Sequence, residues 1–424
     1  MTLVLAIVFV ITLFLGVPVA FSLALAGIAA IMSDPSANLL VVPQRLFAGL
    51  DSFAIVSIPL FILAGELIFA SGMGSRLVAL GDKLVGHLWG GLASVSTITS
   101  MLMAGVSGSS VADASSVGRV MIPEMIRRGY GAKFAAAVNS ATSTVGIIIP
   151  PSIPIIVYAI LSGVSIRDLF AAAMIPGILA GVAMLIAGTI IAYINRYPRG
   201  DRPTMRGLAK EFLRNGLGLF LPVLILGGIF TGAFTPTEAA SVAVMYALFI
   251  GIVVNRELTP GRIVQSMVNA SITSSIILLI IATSSLLAWL LTYDFVPQQV
   301  SSFVQATFSD PVVYLFFIAL LLLAIGTIID VIPAMIMFVP IFLPTTTVLG
   351  IEPLQFGVLV VFTLAIGLFT PPVGTCLYVS CYIAKTPILR TAVVALPYLL
   401  AMFFILVLVI LFPPVTTWVP SLIN

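Results

Sequence analysis

An all-α polytopic membrane fold, built from two repeats of opposite orientation, is what this sequence predicts. Composition is the first reason: of 424 residues, 61% are hydrophobic and only 8% charged, against roughly 25% charged residues in soluble domains. Apolar stretches of about twenty residues or more also recur along the whole chain, the length needed to cross roughly 30 Å of hydrocarbon. Finally, the order of those stretches, with one of awkward length and one interrupted by Pro-Pro, occurs twice. The longest polar stretch, 195–215, reads as a basic cytoplasmic linker between a first repeat at 1–194 and a second at 216–424.

The opening MTLVLAIVFVITLFLG has no Lys or Arg ahead of its apolar run and no small-residue cleavage site, so it is expected to be a retained span and not a signal peptide. Two short segments, 2–15 and 18–32, precede a longer one at 47–70 and a basic loop with Arg76 and Lys83. The next stretch, 90–126, is closed by a second basic loop holding Arg127, Arg128 and Lys133. It is too long for one crossing of about 20 residues and too short for two with a turn. Both its ends are basic, which puts both on the cytoplasmic side. A re-entrant hairpin satisfies these facts, with a tip buried in protein or lining a cavity. A second stretch of similar length, 312–346, lies between Asp310-Pro311 and Glu352-Pro353, flanks without Lys or Arg, and reads as a hairpin entering from the opposite side. On this reading every basic residue except Arg45, Arg167 and Arg119 falls on one side. That asymmetry favours hairpins over single crossings and gives about ten crossings, with both termini periplasmic.

Smaller echoes support the repeat. Asp113 and Pro123 have the same spacing as Asp330 and Pro340, and Gly146 to Pro151 (GIIIPP) is matched by Gly367 to Pro372 (GLFTPP). Broken helices are predicted at 134–164 and 354–383. Inverted repeats with broken helices near the midplane are a recurrent design of secondary transporters.

A proline lacks an N–H and clashes with the carbonyl four residues earlier. Pro150 and Pro151 are therefore expected to free the carbonyls of Gly146 and Ile147, and Pro371 and Pro372 those of Gly367 and Leu368. Oxygens freed inside a membrane suit a hard cation such as Na⁺; a plain proline kink is the alternative. The first hairpin centres on Gly105 to Ser116 (GVSGSSVADASS), a run that favours an unwound tip or, alternatively, close helix packing. Asn139 to Thr144 (NSATST) is unusually polar for a membrane helix. The second tip, Gly326 to Asp330 (GTIID), is less polar, so its contribution would rest on backbone groups. Asp113 and Asp330 are the carboxylates placed deep in the hairpins, and intramembrane acids default to function. Pairing with Arg119 is the structural alternative for Asp113. Glu66, Glu124 and Glu238 read as boundary residues, and His87 and Trp89 as interface anchors.

An enzyme is not expected. Gly105-Val106-Ser107-Gly108 resembles a short intramembrane serine protease pattern, but the lone His87 falls outside the hairpin and no other base is in place. Tyr293-Asp294 has no Gly-x-Gly-Asp partner, and Cys376 and Cys381, in the apolar CLYVSC, need not pair.

The segments IPLFILAGELIFASGMGSRL, GVSGSSVADASSVGRVMIPEM, GIIIPPSIPIIVYA and GLFTPPVGTCLYVSC resemble the large (M, DctM-like) subunit of the TRAP, or tripartite ATP-independent periplasmic, transporters. The resemblance covers essentially the whole chain. It implies an elevator-type Na⁺ symporter in a bacterial inner membrane, working with a small four-helix membrane subunit (Q type) and a periplasmic substrate-binding protein (P type) that delivers an organic anion. It also implies that Na⁺ sites lie where each hairpin tip meets the broken helix of its own repeat. On this chain those are Ser107, Gly108, Asn139, Gly146 and Pro150 for one site, and Gly326, Gly367 and Thr370 for the other. Substrate binding and gating are expected at Ser109, Ser110, Asp113, Thr142, Asp330, Pro371 and Gly374. A one-component ion or anion antiporter and a non-transporting scaffold are the rivals. The topology makes a direct prediction: alkaline phosphatase fused after Asn424 is expected to be active, and the same enzyme inserted at 195–200 inactive. The reverse pattern would invert the assignment.

Overall fold

The computed structural model describes residues 1–34, 38–200, 205–308 and 310–423, so part of the predicted linker, 201–204, lies outside the described residues. Every named element is a helix. The first half runs α1 (Thr2–Phe14), α2 (Val19–Met32), α3 (Val41–Ala48), α4 (Ser57–Ala70), α5 (Met73–Val85), α6 (Gly91–Ser107), α7 (Ser110–Arg127), α8 (Ala132–Ser143), α9 (Ile153–Ser162) and α10 (Ile166–Ile194). The second runs α11 (Met205–Phe230), α12 (Pro236–Phe249), α13 (Pro260–Tyr293), α14 (Val296–Thr307), α15 (Pro311–Gly326), α16 (Val331–Val348), α17 (Pro353–Gly367), α18 (Thr375–Ala384), α19 (Ile388–Leu411) and a closing α20 (Pro414–Ile423). Among the described residues, 6 helices are long and apolar enough to cross a membrane, the longest being Pro260–Tyr293.

The stretches of awkward length are helical pairs with short tips. α6 and α7 meet at Gly108-Ser109, and α15 and α16 at Thr327–Asp330. The Gly/Ser run at 105–116 unwinds far less than the sequence suggested. Ser109 caps α7 by accepting from the Ala112 N–H, and the Ser115 and Ser116 hydroxyls donate back to Ala112 O at 3.0 and 2.8 Å. Hydroxyls that bond within their own helix leave it intact.

The supposed basic loop around Arg76 and Lys83 is the helix α5. Met73, Leu77 and Leu80 recur at helical spacing and are buried at 4%, 2% and 1% exposure, so the segment lies on the protein with its charges outward. α14 holds the corresponding place in the second half, before α15.

Both broken helices form. α8 continues through a 3-10 turn, Thr144–Ile147, into an irregular stretch before α9, and α17 breaks over 368–374 before α18. The Pro150-Pro151 and Pro371-Pro372 peptides are both cis. The carbonyls expected to be freed are largely satisfied again. Ile147 O accepts from the Ser152 hydroxyl. Gly367 O accepts from Thr370 N at 3.1 Å, and Leu368 O from Cys376 N at 2.9 Å. The break is thus bridged by its own backbone and one serine, as burial away from water demands.

Packing falls into two groups. α2, α4, α12 and α13 lean on one another, with α1 and α3 against them, whereas α7, α8, α18 and α19 form a second block with α10, α16 and α17. α8 and α18, the broken helices of the two halves, lie directly side by side. At the base of the first hairpin the Arg199 guanidinium sits 3.6 Å over the Trp89 ring, and the Tyr130 hydroxyl donates to Pro198 O at 3.1 Å. Trp89 is therefore a packing residue as well as a helix-end anchor.

Two glycines test this packing. A Cβ on Gly367 would lie 2.5 Å from the Gly326 carbonyl carbon, backbone against backbone. Gly367→Ala is expected to cost about 1–3 kcal/mol in denaturant unfolding of the purified protein. Gly74 in α5 has open space beside it, and Gly74→Ala is expected to leave stability unchanged or raise it by at most about 1 kcal/mol.

Candidate binding site between the hairpin tips

Each tip seats on the broken helix of its own half. Gly108, at φ +58°, closes α6, and a Cβ there would stand 3.0 Å from Pro151 O and 3.3 Å from Ile153 N. Only glycine takes this backbone angle and this approach together without strain. Gly146, in the 3-10 turn, faces the same tip: its Cβ position is 3.9 Å from Ser109 O and from the Asp113 Cβ. In the second half, Val373 N and Gly374 N donate to Thr327 O at 3.0 and 3.4 Å, and Gly326 lies on Gly367. Here the contact is made by backbone groups.

Both tips open on one cavity of about 600 Å³. Ser107 to Ala112 of the first tip and Asp330 to Pro333 of the second form one side, with Ile147 and Leu368 from the breaks. The opposite wall comes from α2, α4 and α13 and is apolar except for Glu66 and Thr273. The first turns of α7, α9 and α16 all border the space. One N–H of each turn is already capped, Ala112 by Ser109, Ile155 by Ser152 and Val331 by Asp330, and Pro154 and Pro333 carry none; what remains facing the space is the positive end of each helix dipole. Among the described residues, no Lys, Arg or His lines the cavity.

Behind the first tip lies a layer of buried polar atoms. Asp113 is 0% exposed, beside the Ser100 hydroxyl, and among the described residues neither carboxylate oxygen has a hydrogen-bond partner. The alternative pairing with Arg119 does not occur: that side chain is exposed on the far side of α7. Ser110 Oγ and Asn139 Oδ1 are likewise buried without a partner among the described residues. The Asn139 amide donates to Ala114 O and to Ser380 Oγ, both at 2.9 Å, which ties α8 to α7 and to α18.

The residues singled out from sequence therefore separate by position. Ser107, Gly108, Ser109, Ser110 and Asp330 line the cavity. Asp113, Asn139, Gly146, Gly326, Gly367 and Gly374 stand behind the tips or in the breaks. Thr142 is fully buried and donates to Val138 O at 2.9 Å. Pro150 lies in the first break, its carbonyl 4.0 Å from the Cβ position of Gly105. Thr370 and Pro371 border a separate space of about 270 Å³ against α19. Glu66 was missed: read as a boundary residue, it stands on the cavity wall. The available signal was a lone carboxylate within the apolar run of α4, and intramembrane acids are rarely incidental.

Comparison with known proteins gives the chain a family. The model of the "Tripartite ATP-independent periplasmic transporter, DctM component" matches residues 6–415. The sialic acid TRAP transporter large permease protein SiaM of Vibrio cholerae is 34% identical over 97% of this chain and 96% of its own length. The 2,3-diketo-L-gulonate TRAP transporter large permease protein YiaN of Escherichia coli is 35% identical over 94% of each chain. In fold, the crystal structure of the Alcanivorax borkumensis YdaH transporter superposes with a TM-score of 0.64 at 17% identity, covering 89% of this chain and 88% of its own. On this evidence the chain belongs to the DctM-component family, the large permeases of the tripartite ATP-independent periplasmic transporters.

Proposed function

We propose that this protein is the large subunit of a Na⁺-coupled transporter that takes up an organic carboxylate by an elevator motion. It does so with a small four-helix membrane subunit and a periplasmic binding protein, in a bacterial inner membrane with both termini periplasmic. The observation that carries the reading is the pair of hairpin tips, each seated on its own broken helix and both facing one cavity. The relatives named for sialic acid and diketo-gulonate move sugar acids, which favours a carboxylate here.

Sodium coupling draws support from the unpartnered buried oxygens of Asp113, Ser110 and Asn139. A buried anion with no cationic partner is costly, and a hard cation held by carboxylate, amide and hydroxyl oxygens offsets that cost. At the second tip the donors would be the carbonyls around Gly326, Gly367 and Thr370. Na⁺ held behind both tips would fix them and add positive potential to the helix starts that face the substrate carboxylate. The block of hairpins and broken helices would then travel against the α2–α4–α12–α13 group, as the division of packing suggests. In this scheme 1–194 and 216–424 are repeats of opposite orientation.

A one-component antiporter is the rival reading. Uptake by the large subunit alone in liposomes would sustain that rival.

Two outcomes test the proposal. In proteoliposomes containing the chain with its small membrane subunit and periplasmic binding protein, uptake is expected to require an inward Na⁺ gradient and to vanish when K⁺ replaces Na⁺. Ser107→Ala and Asp113→Asn are expected to lower the initial rate at limiting Na⁺ by about tenfold, the size of one lost charge-assisted contact, with partial recovery at high Na⁺. Rates indifferent to Na⁺, or variants equal to wild type at every Na⁺ concentration, would overturn the sites.

A further inference from the structure

Glu66 is the one charged side chain on the α2–α4–α13 wall of the cavity, and the transport scheme above gives it no role. Its position is fixed by neighbours. Gln265 Nε2 donates to Asn269 Oδ1 at 2.9 Å, which turns the Asn269 amide so that Nδ2 donates to Glu66 Oε2 at 3.2 Å. Ser266 Oγ reaches the Glu66 carbonyl at 3.4 Å. The carboxylate thus has a set orientation, and it stands where the main cavity adjoins a second one of about 420 Å³ bordered by Arg262, Gln265 and Asn269.

The two sides of the main cavity therefore differ in what they ask of a ligand. On the hairpin side, helix starts and the hydroxyls of Ser107 and Ser109 offer donors to a carboxylate. Asp330 also borders that side, but its Oδ1 already accepts from Val331 N at 2.8 Å. On the facing wall Glu66 is set among Ile62, Ile276, Ile277 and Ile280, and as a carboxylate it can only accept. A plain alkyl acid would lay methylene groups against it and strip its water without replacing a hydrogen bond, which is unfavourable. A substrate with a hydroxyl or ammonium at its far end would give that bond back.

We infer that Glu66 is a specificity-determining residue that selects carboxylates carrying hydrogen-bond donors, hydroxyl or ammonium, at the end remote from the carboxylate. The inference rests on the reading of this cavity as the carboxylate site. Three six-carbon probes separate the cases: hexanoate without donors, D-gluconate with hydroxyls, and 6-aminohexanoate with a terminal ammonium. Binding is read from the dose-dependent rise in Tm of the purified full chain in lipid nanodiscs with NaCl. Gluconate or 6-aminohexanoate is expected to bind about tenfold tighter than hexanoate, the effect of one charge-assisted hydrogen bond. Glu66→Leu is expected to bring that ratio close to one. The isosteric Glu66→Gln, which preserves shape and folding, is expected to keep a preference for gluconate and lose one for 6-aminohexanoate. Equal binding of all three probes by wild type, or a preference that survives in both variants, would overturn the role of Glu66. If no probe binds wild type in sodium, the cavity is not a carboxylate site, and the inference falls with that reading.

Discussion

Where each hairpin tip touches its broken helix, backbone meets backbone with no room for a side chain, and the site is built outward from those two contacts. A membrane interior offers no water to an interrupted helix, so every group released by Pro-Pro must find a partner in protein. At the second break it does so through Thr327 O, which receives two N–H groups, and through Gly326 lying flat on Gly367. At the first, Gly108 approaches Pro151 O while the Ser152 hydroxyl takes up Ile147 O. Glycine at 367 follows from distance alone, and at 108 from distance and a positive φ together.

From that constraint follows the electrostatic character of the cavity. Seating the tips on the breaks brings the starts of α7, α9 and α16 to one space, which the positive ends of their dipoles face and which no basic side chain among the described residues lines. Fixed backbone dipoles keep their orientation, need no flexible side chain to be ordered, and weaken when a tip shifts. A pocket made this way depends on the position of its tips more than one lined with arginines would.

Much of this was legible in the sequence because it is written in features that survive without neighbours. Stretch length, basic flanks and Pro-Pro pairs respond to the bilayer and to covalent geometry; the predicted segments fall on the helix pairs α6–α7 and α15–α16 and on the interruptions between α8 and α9 and between α17 and α18. What escaped depends on contacts made at a distance. α5 read as a loop because Arg76 and Lys83 drew attention away from the helical spacing of Met73, Leu77 and Leu80. In the polar run at 139–144, Ser140, Thr142, Ser143 and Thr144 donate their hydroxyl protons to carbonyls one turn back, Ser143 also lies beside Cys376 of α18, and the Asn139 amide bonds to both α7 and α18. Glu66 was misjudged because its place on the cavity wall is set by α13, far away in sequence. Local chemistry predicted where the chain breaks; tertiary packing chose which polar atoms stay free.

The Asn139 amide has a mechanical meaning of its own. With one proton on Ala114 O in α7 and the other on Ser380 Oγ in α18, it acts as a rivet through three helices drawn from both halves of the chain. A rivet resists relative sliding: the first hairpin cannot shift along α18 without breaking at least one of these two bonds. The first hairpin, its own broken helix and α18 of the other half are thereby joined at a single side chain.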